Sequence, residues 1–377
     1  MTRLAKFFVA AGALAAVGLL GFFLMRSRPT RQTGATLGVI LPQTGPTAFI
    51  GEAVRRGLDL AHEQFAALPD NPRVRLIYED DGGSADRAVS AFRKLTALNR
   101  ADAVILVSTA VRAVAPLAEQ EGVPLLCTAV SASGVSQGRR WVFRYFINAD
   151  ADAALIGDYA ARRRGYRRLA VLFINDEMGV SYKTVFERTI AAGGASLVSA
   201  VPFGFEVTNF RPLLLKIKAS EPDALYLVGY NDAIAVIPSQ MREVGLRVPI
   251  LSVGTISQPE IMKQAGTAIE GAVYTTTAFN TFAPATPALQ RFVQAYTSRY
   301  GNPPVFFEVF GFDSFNLLAS ALRKAGPGRA GVRDALAALT NVDGAAGSLS
   351  VGSDGEVAFP IKLRQIRAGQ WADLEER

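Results

Sequence analysis

Hydroxyl-bearing residues recur in this chain where apolar runs end. Thr44 and Thr47 follow the run that closes at Leu41, Ser108 and Thr109 follow Ala103–Val107, and the small-residue stretch Thr128–Gly134 follows Val123–Cys127. Each site places hydroxyls and backbone N–H groups at the start of a helix or in an irregular turn. Such a cluster can hold a carboxylate without an arginine, because helix N-termini carry partial positive charge and unpaired donors. Ser108 lies at the strand–helix junction itself and reads either as a plain N-cap or as a ligand contact. The first loop also carries Phe49 and Gly51, and it lacks the GxGxxG and GxxxxGKS spacings that mark a nucleotide site.

Other chemistries are bounded by scarcity. His62 is the only histidine, which excludes a multi-histidine metal site and forces any Ser/His or Cys/His pair to use a mid-helix residue beside Leu58 and Phe65. Cys127 is the only cysteine, so no intramolecular disulfide can form. Neither Ser108 nor Cys127 sits in a GxSxG elbow, so an enzyme is not expected, nor is a cofactor. The net charge of +7 includes a cluster at Arg162, Arg163, Arg164, Arg167 and Arg168, without the interleaved aromatic rings that stack nucleobases. A solvated helix end explains it, and no nucleic-acid partner is expected.

These loops need elements to hold them. With 377 residues, half of them hydrophobic, the chain can form about two domains with full cores. Leu37–Leu41 reads as a strand stopped by Pro42, and Val54, Leu58, Ala61 and Phe65 recur on one helical face. Strands follow at Arg73–Glu79, Ala103–Val107 and Val123–Cys127, with helices at Ala85–Asn99 and up to Glu121 between them. A second series runs from helix Asp152–Arg164 through strands Arg168–Ile174, Ser196–Pro202, Ala224–Val228 and Pro249–Leu251. Continuous apolar strands alternating with helices imply parallel sheets with right-handed crossovers, an α/β fold of two similar lobes. After Gly271 the tail is too short for a third domain, so it is expected to complete both lobes and cross between them.

Before the first strand, Phe7–Met25 is uncharged and follows Arg3 and Lys6. As a helix it would be about 28 Å long, near the roughly 30 Å of a bilayer's hydrocarbon core. It reads as a secretory signal or an anchor; the apolar residues continuing past Ala13 and Ala15 favour an uncleaved anchor over residues 4–25.

Six segments in order carry a resemblance: TGP at 44–46, YEDDGGSADRAVSAFRKL at 78–95, the strand ending in Ser108, AEQEGVPLL at 118–126, WVFRYF at 141–146, and PDALYLVGYNDA at 222–233. Together they resemble the periplasmic branched-chain amino acid binding proteins, the type I solute receptors of ABC importers. The resemblance covers Thr36 to the C-terminus. It implies two doubly wound parallel-sheet lobes joined by a three-crossover hinge that closes on a ligand. It places contacts to an amino acid's carboxylate and amine on Ser108, with Thr109 beside it, on the backbone near Val130, and on the Ser131 hydroxyl. It further places the second-lobe wall on Tyr230, a cover for the ligand side chain on Phe49, and a further contact on Phe307.

Two positions depart from the family. Met178 stands where the family has a tyrosine, and Gly254 stands where a carboxylate receives the ligand's ammonium. A buried ammonium without a partner costs several kcal/mol, so another acid must serve or the ligand is not a plain α-amino acid. Asp176, Asp232 and Glu308 are the substitutes open at this level.

The expected organisation is therefore an N-terminal segment 1–35, a first lobe of 36–147 and 278–345, and a second lobe of 148–277 and 346–377. The expected function is capture of an amino acid or related small carboxylate in the periplasm for the membrane subunits of an ABC permease. A membrane-tethered sensor or assembly factor with the same fold is the alternative.

Overall fold

The computed structural model describes residues 34–374, so the segment Phe7–Met25 and its reading as an anchor lie outside the described residues. No helix among the described residues is long and apolar enough to cross a membrane.

The first sheet is built around β1 (Gly34–Leu41), flanked by β2 (Arg73–Asp80) and β3 (Ala103–Leu106). Beyond β3 come β4 (Leu125–Thr128) and β5 (Val142–Tyr145), all parallel, in the order β2-β1-β3-β4-β5. Because side chains alternate along a strand, Leu37, Val39 and Leu41 enter one core layer and Ile40 enters the opposite one. Helix α1 (Ala48–Ala66) covers the first layer with Ile50, Val54, Leu58 and Phe65. Helices α2 (Ala85–Arg93), which continues into a π-helical turn, and α3 (Val111–Glu121) cover the second.

The chain then crosses to the second lobe. It forms α4 (Ala149–Asp158), β6 (Arg168–Ile174), α5 (Glu177–Ala192), β7 (Ser196–Phe203), α6 (Arg211–Ala219) and β8 (Ala224–Val228). Next come α7 (Asn231–Glu243), β9 (Ile250–Ser252), α8 (Pro259–Ala265) and β10 (Val273–Thr277). Helices α4 and α5 pack on one face of this sheet, and α6, α7 and α8 on the other.

From β10 the chain returns to the first lobe as α9 (Pro287–Tyr300), α10 (Phe306–Ala325) and α11 (Arg329–Ala337). A small antiparallel sheet follows: β11 (Val342–Gly344), β12 (Gly347–Val351) and β13 (Val357–Ala358). The last crossing leads to β14 (Ile361–Arg367) and β15 (Gln370–Asp373), which extend the second sheet antiparallel to β10. The second sheet thus reads β15-β14-β10-β9-β8-β6-β7, and the chain passes between lobes three times.

One boundary differs from the sequence reading. Residues 346–358, expected in the second lobe, pack in the first: Leu349, Val351 and Val357 share the core of Val39 and Phe310. The cause is a buried acid. Asp313 on α10 accepts the N–H groups of Ala345 and Ala346 at 2.7 and 2.9 Å and the Tyr145 hydroxyl at 2.8 Å, which ties the β11–β12 turn to the first lobe. Only Ile361–Asp373 of that segment joins the second sheet.

Candidate functional site

The carboxyl ends of the parallel strands of both sheets face a crevice between the lobes, the usual place for a ligand in open α/β sheets. Its cavity is about 130 Å³, close to the roughly 150 Å³ of an engineered cavity that holds one benzene ring. Ser108, Thr109, Val130, Ser131, Met178, Tyr230, Gly254 and Phe307 all line it. The sequence spreads these residues over some two hundred positions; the fold brings them to one place.

On the first-lobe side, β3 ends just before Ser108, whose Oγ accepts the Ala110 N–H at 3.0 Å and so fixes the turn into α3. The helix itself starts at Val111, so Ser108 shapes the turn before the N-terminus instead of capping it. Behind Ser108 lies Asp81, whose carboxyl burial pushes up, opposed by the Ser108 side chain and the Gly83 N–H. The loop after β4 turns through Ala129, whose φ of 56° lies in the left-handed region. That conformation costs an alanine about 1–2 kcal/mol and is held by its neighbours. The Ser131 carbonyl accepts from Ala149 N–H at 2.9 Å, and the Ala132 carbonyl accepts from the buried Arg144. With its carbonyls so engaged, the loop keeps Val130 and Ser131 on the crevice wall.

Aromatic rings of both lobes meet at the crevice: Phe307 and Tyr230 line it, whereas Phe49, expected to cover the ligand side chain, contacts both rings but is not among the lining residues. Phe49, in the first turn of α1, meets Phe307 of α10 edge-on at 6.3 Å and Tyr230 of the second lobe edge-on at 6.4 Å. Tyr230 stacks on Phe205 at 5.6 Å and donates its hydroxyl to Asp176 at 2.8 Å. Asp176 also accepts the Gly179 N–H, capping α5. Two further contacts hold the lobes together: Arg112 pairs with Glu177 at 2.9 Å, and the Ser133 N–H reaches Ser181 Oγ at 3.4 Å. The lobes are closed on the crevice.

The substitute acids separate clearly. Asp176 is engaged with Tyr230 and Gly179. Glu308 is buried on the far side of α10, paired with Arg56 at 3.0 Å and bonded to Tyr296 and the Val305 N–H. The side chain of Asp232 lies outside the described residues. Gly254 does line the crevice, in a tight turn after β9 where an added Cβ would sit 3.2 Å from the Thr275 carbonyl.

Several lining residues have no counterpart in the sequence reading: Phe146, Phe279, Phe306, Trp371, Tyr182 and Asp152. Phe146, Phe279 and Phe306 lie at lobe crossings or a helix start, Tyr182 within α5 and Trp371 on β15, places where aromatic residues read as core or strand. The histidine that any catalytic pair would need and one of its two possible nucleophiles are otherwise occupied. His62 hydrogen-bonds the Val74 carbonyl at 2.8 Å and packs on Phe315. Cys127 is fully buried in β4, and burial pushes its thiol up to about 12, leaving it without thiolate character.

The profile of the periplasmic binding protein family matches residues 34–370, nearly all of the described chain. The chain belongs to the periplasmic binding protein family. This periplasmic binding protein is 26% identical over 336 residues to a Leu/Ile/Val-binding protein homolog of Brucella melitensis, covering 86% of this chain and 89% of the relative. It is 23% identical to the leucine-, isoleucine-, valine-, threonine- and alanine-binding protein of Pseudomonas aeruginosa, over 76% and 77% of the two chains. Among solved structures, a leucine-binding protein of Thermotoga maritima superimposes with a TM-score of 0.81 at 26% identity, over 90% of this chain and 98% of the other. A solute-binding protein of R. palustris in complex with benzoate has the same TM-score at 21% identity, over 90% and 95%, a likeness of fold. The family is one of extracytoplasmic solute-binding proteins and not of enzymes.

One titrating group in the crevice makes the periplasmic binding protein's stability depend on pH. Burial pushes the Asp152 carboxyl up to about 6, against the opposing pull of the nearby Thr275 and Tyr182 hydroxyls. A raised folded-state value means the native state binds the extra proton, so this group favours folding below its unfolded value near 3.8 and loses that contribution as pH rises through about 6. Asp152→Asn is therefore expected to raise the urea midpoint near pH 8, by an amount on the order of 2 kcal/mol, and to change it little near pH 4. An equal effect at both pH values would contradict the assignment.

Proposed function

We propose that this periplasmic binding protein captures an amino acid or related small carboxylate between its lobes and presents the closed form to the membrane subunits of an ABC permease. One observation carries the reading: the first-lobe hydroxyls of Ser108, Thr109 and Ser131 and an aromatic wall made by Phe307 of the first lobe and Tyr230 of the second line one crevice between the lobes. A carboxylate suits the first group, and an apolar side chain suits the second. The ligand acts by population shift, because a molecule that touches both walls binds the closed state better than the open one. The names of the curated relatives support amino-acid capture.

The test is ligand screening by thermal shift on the purified full chain, since a ligand of the native state raises the midpoint by mass action. Ser108→Ala is expected to weaken the best ligand by about tenfold or more, the value of a hydrogen bond to a charged group. An unchanged affinity would remove Ser108 from the site.

A further inference from the structure

The end of the first lobe away from the crevice carries charge that the fold does not use. The carboxyl ends of β1–β5 face the crevice, so their amino ends form the opposite pole. Helix α10 starts beside the crevice at Phe306 and, with 20 residues, runs about 30 Å to that pole. Five exposed cations collect there: Arg73 and Arg75 at the start of β2, Arg100 before β3, and Arg323 and Lys324 in the last turn of α10. Backbone contacts hold these segments together. Asp102 accepts the Thr36 N–H of β1 and the Gly328 N–H just past α10, both at 2.8 Å, and Arg73 stands opposite Gly34. None of the five forms an ion pair among the described residues: Arg75 reaches the Thr36 hydroxyl at 3.4 Å, and Arg323 lies over the Phe65 ring. The acids of the pole are mostly engaged within the fold, Asp102 as above, Glu119 with the Arg140 and Trp141 N–H groups, and Glu121 with the Thr96 hydroxyl.

Capping of helix ends explains only part of this set. A C-terminal dipole suits Arg323 and Lys324, but Arg73, Arg75 and Arg100 precede strands. The arginine cluster of the second lobe is different, because Arg162, Arg167 and Arg168 donate to the carbonyls of Ala192, Gly193 and Ser220 and so serve the fold. Two large aliphatic side chains share the first-lobe pole: Leu68, just past α1, is 55% exposed, and Leu98, two residues before Arg100, is 78% exposed. Unpaired cations interspersed with exposed leucines suit the headgroup layer of an anionic bilayer. A nucleic acid would call for stacking rings, and neither exposed phenylalanine of the described residues, Phe205 or Phe282, lies at this pole. The chain outside the described residues enters at the same place. Residues 26–33, with Arg26, Arg28 and Arg31, join the uncharged run Phe7–Met25 to Gly34 at the start of β1. These residues span at most about 29 Å, so an apolar run seated in a bilayer puts this pole next to the lipid surface.

We propose that the amino-end pole of the first lobe docks on an anionic lipid surface, with Arg73, Arg75, Arg100, Arg323 and Lys324 against the headgroup phosphates and Leu68 and Leu98 among them. The crevice lies at the other end of the lobe, so lipid docking and ligand capture do not compete. No crevice residue takes part, and the inference stands or falls apart from the ligand reading.

The experiment places an environment-sensitive fluorophore on Leu98→Cys of the full chain and, as reference, on Leu215→Cys of α6 in the second lobe, which is 53% exposed. Cys127 is buried and escapes labelling. Each labelled protein is mixed with phosphatidylcholine vesicles with or without phosphatidylglycerol. The Leu98 label is expected to shift to the blue, and to be quenched by doxyl-labelled lipid, on phosphatidylglycerol vesicles alone, while the Leu215 label stays as in solution. A basic residue near an anionic surface strengthens binding about fivefold, so Arg73→Glu, Arg75→Glu and Arg100→Glu together are expected to raise the half-saturating lipid concentration about a hundredfold or more, at an unchanged urea midpoint. High salt is expected to act in the same direction. Attachment through Phe7–Met25 alone would bring the chain to both kinds of vesicle and leave the Leu98 label unchanged, which overturns the proposal. So does a response that phosphatidylcholine or the Leu215 label shares, or one that the triple variant keeps. Heparin in place of vesicles is the last control: an equal shift of the Leu98 label would make the pole a general polyanion site and overturn lipid docking.

Discussion

Gly311→Ala is expected to destabilise the protein by more than about 3 kcal/mol, although alanine is the better helix former. On helix propensity alone the substitution would stabilise α10 by about 1 kcal/mol. Packing reverses the sign. A Cβ at Gly311 would sit 2.1 Å from the Val54 carbonyl oxygen, and one at Gly57 would sit 2.0 Å from the Glu308 carbonyl oxygen and 2.8 Å from the Phe312 nitrogen. The obstacles are backbone atoms and cannot swing aside. Helices α1 and α10 therefore touch main chain to main chain, and either glycine's replacement must push them apart through the core they share. The same contact sets the spacing of the two helix starts, where Phe49 packs on the crevice-lining Phe307. Urea unfolding and ligand calorimetry on Gly311→Ala should report both effects, a lower midpoint and a weaker ligand. A midpoint within about 1 kcal/mol of the wild type would show that the helices separate freely, and the close-contact account would fail.

How far the sequence reveals this molecule depends on the distance over which each feature is specified. Helix α1 was legible from Val54, Leu58, Ala61 and Phe65, and β1 from its apolar run and Pro42, because burial of a regular element prints its period on neighbouring residues. The strand-end rule pointed to Ser108 for the same reason. Strand β5 was not legible: Val142–Tyr145 is four residues long and holds an arginine, and what makes it a buried strand is pairing with β4 and an ion pair to Glu356. Residues 346–358 went to the wrong lobe because strands of two to five residues carry too little pattern to show which core they join. Asp152 escaped because it reads as one of two acids in a first helical turn, where negative charge favours the helix dipole and is usually solvated. Two positions apart on the helix, Asp150 is partly exposed and ion-paired to Arg188, whereas Asp152 turns inward. Only tertiary structure separates them.

Glu356→Ala is expected to cost about 3–5 kcal/mol of stability and also to weaken ligand binding, although the residue does not line the crevice. Glu356 accepts Arg144 Nε at 2.8 and 3.1 Å through its two oxygens, and it accepts the Ser136 hydroxyl. Arg144 is 2% exposed, and arginine keeps its charge when buried. Without the carboxylate its guanidinium would retain the Ala132 carbonyl as its recorded partner. That carbonyl belongs to the loop that carries Val130 and Ser131, so the ion pair is the brace of the ligand loop. Stability and positioning can be separated with a second variant. Replacing both partners, Arg144→Met with Glu356→Leu, removes the buried charges together and is expected to regain most of the lost stability, since apolar pairs of similar volume often substitute for buried ion pairs at little cost. The double variant still lacks a donor for the Ala132 carbonyl, so its ligand affinity is expected to stay about tenfold or more below the wild type. Recovery of affinity together with stability would show that the ion pair serves folding alone; affinity that stays low while the midpoint recovers would show that Arg144 holds the loop in its binding geometry.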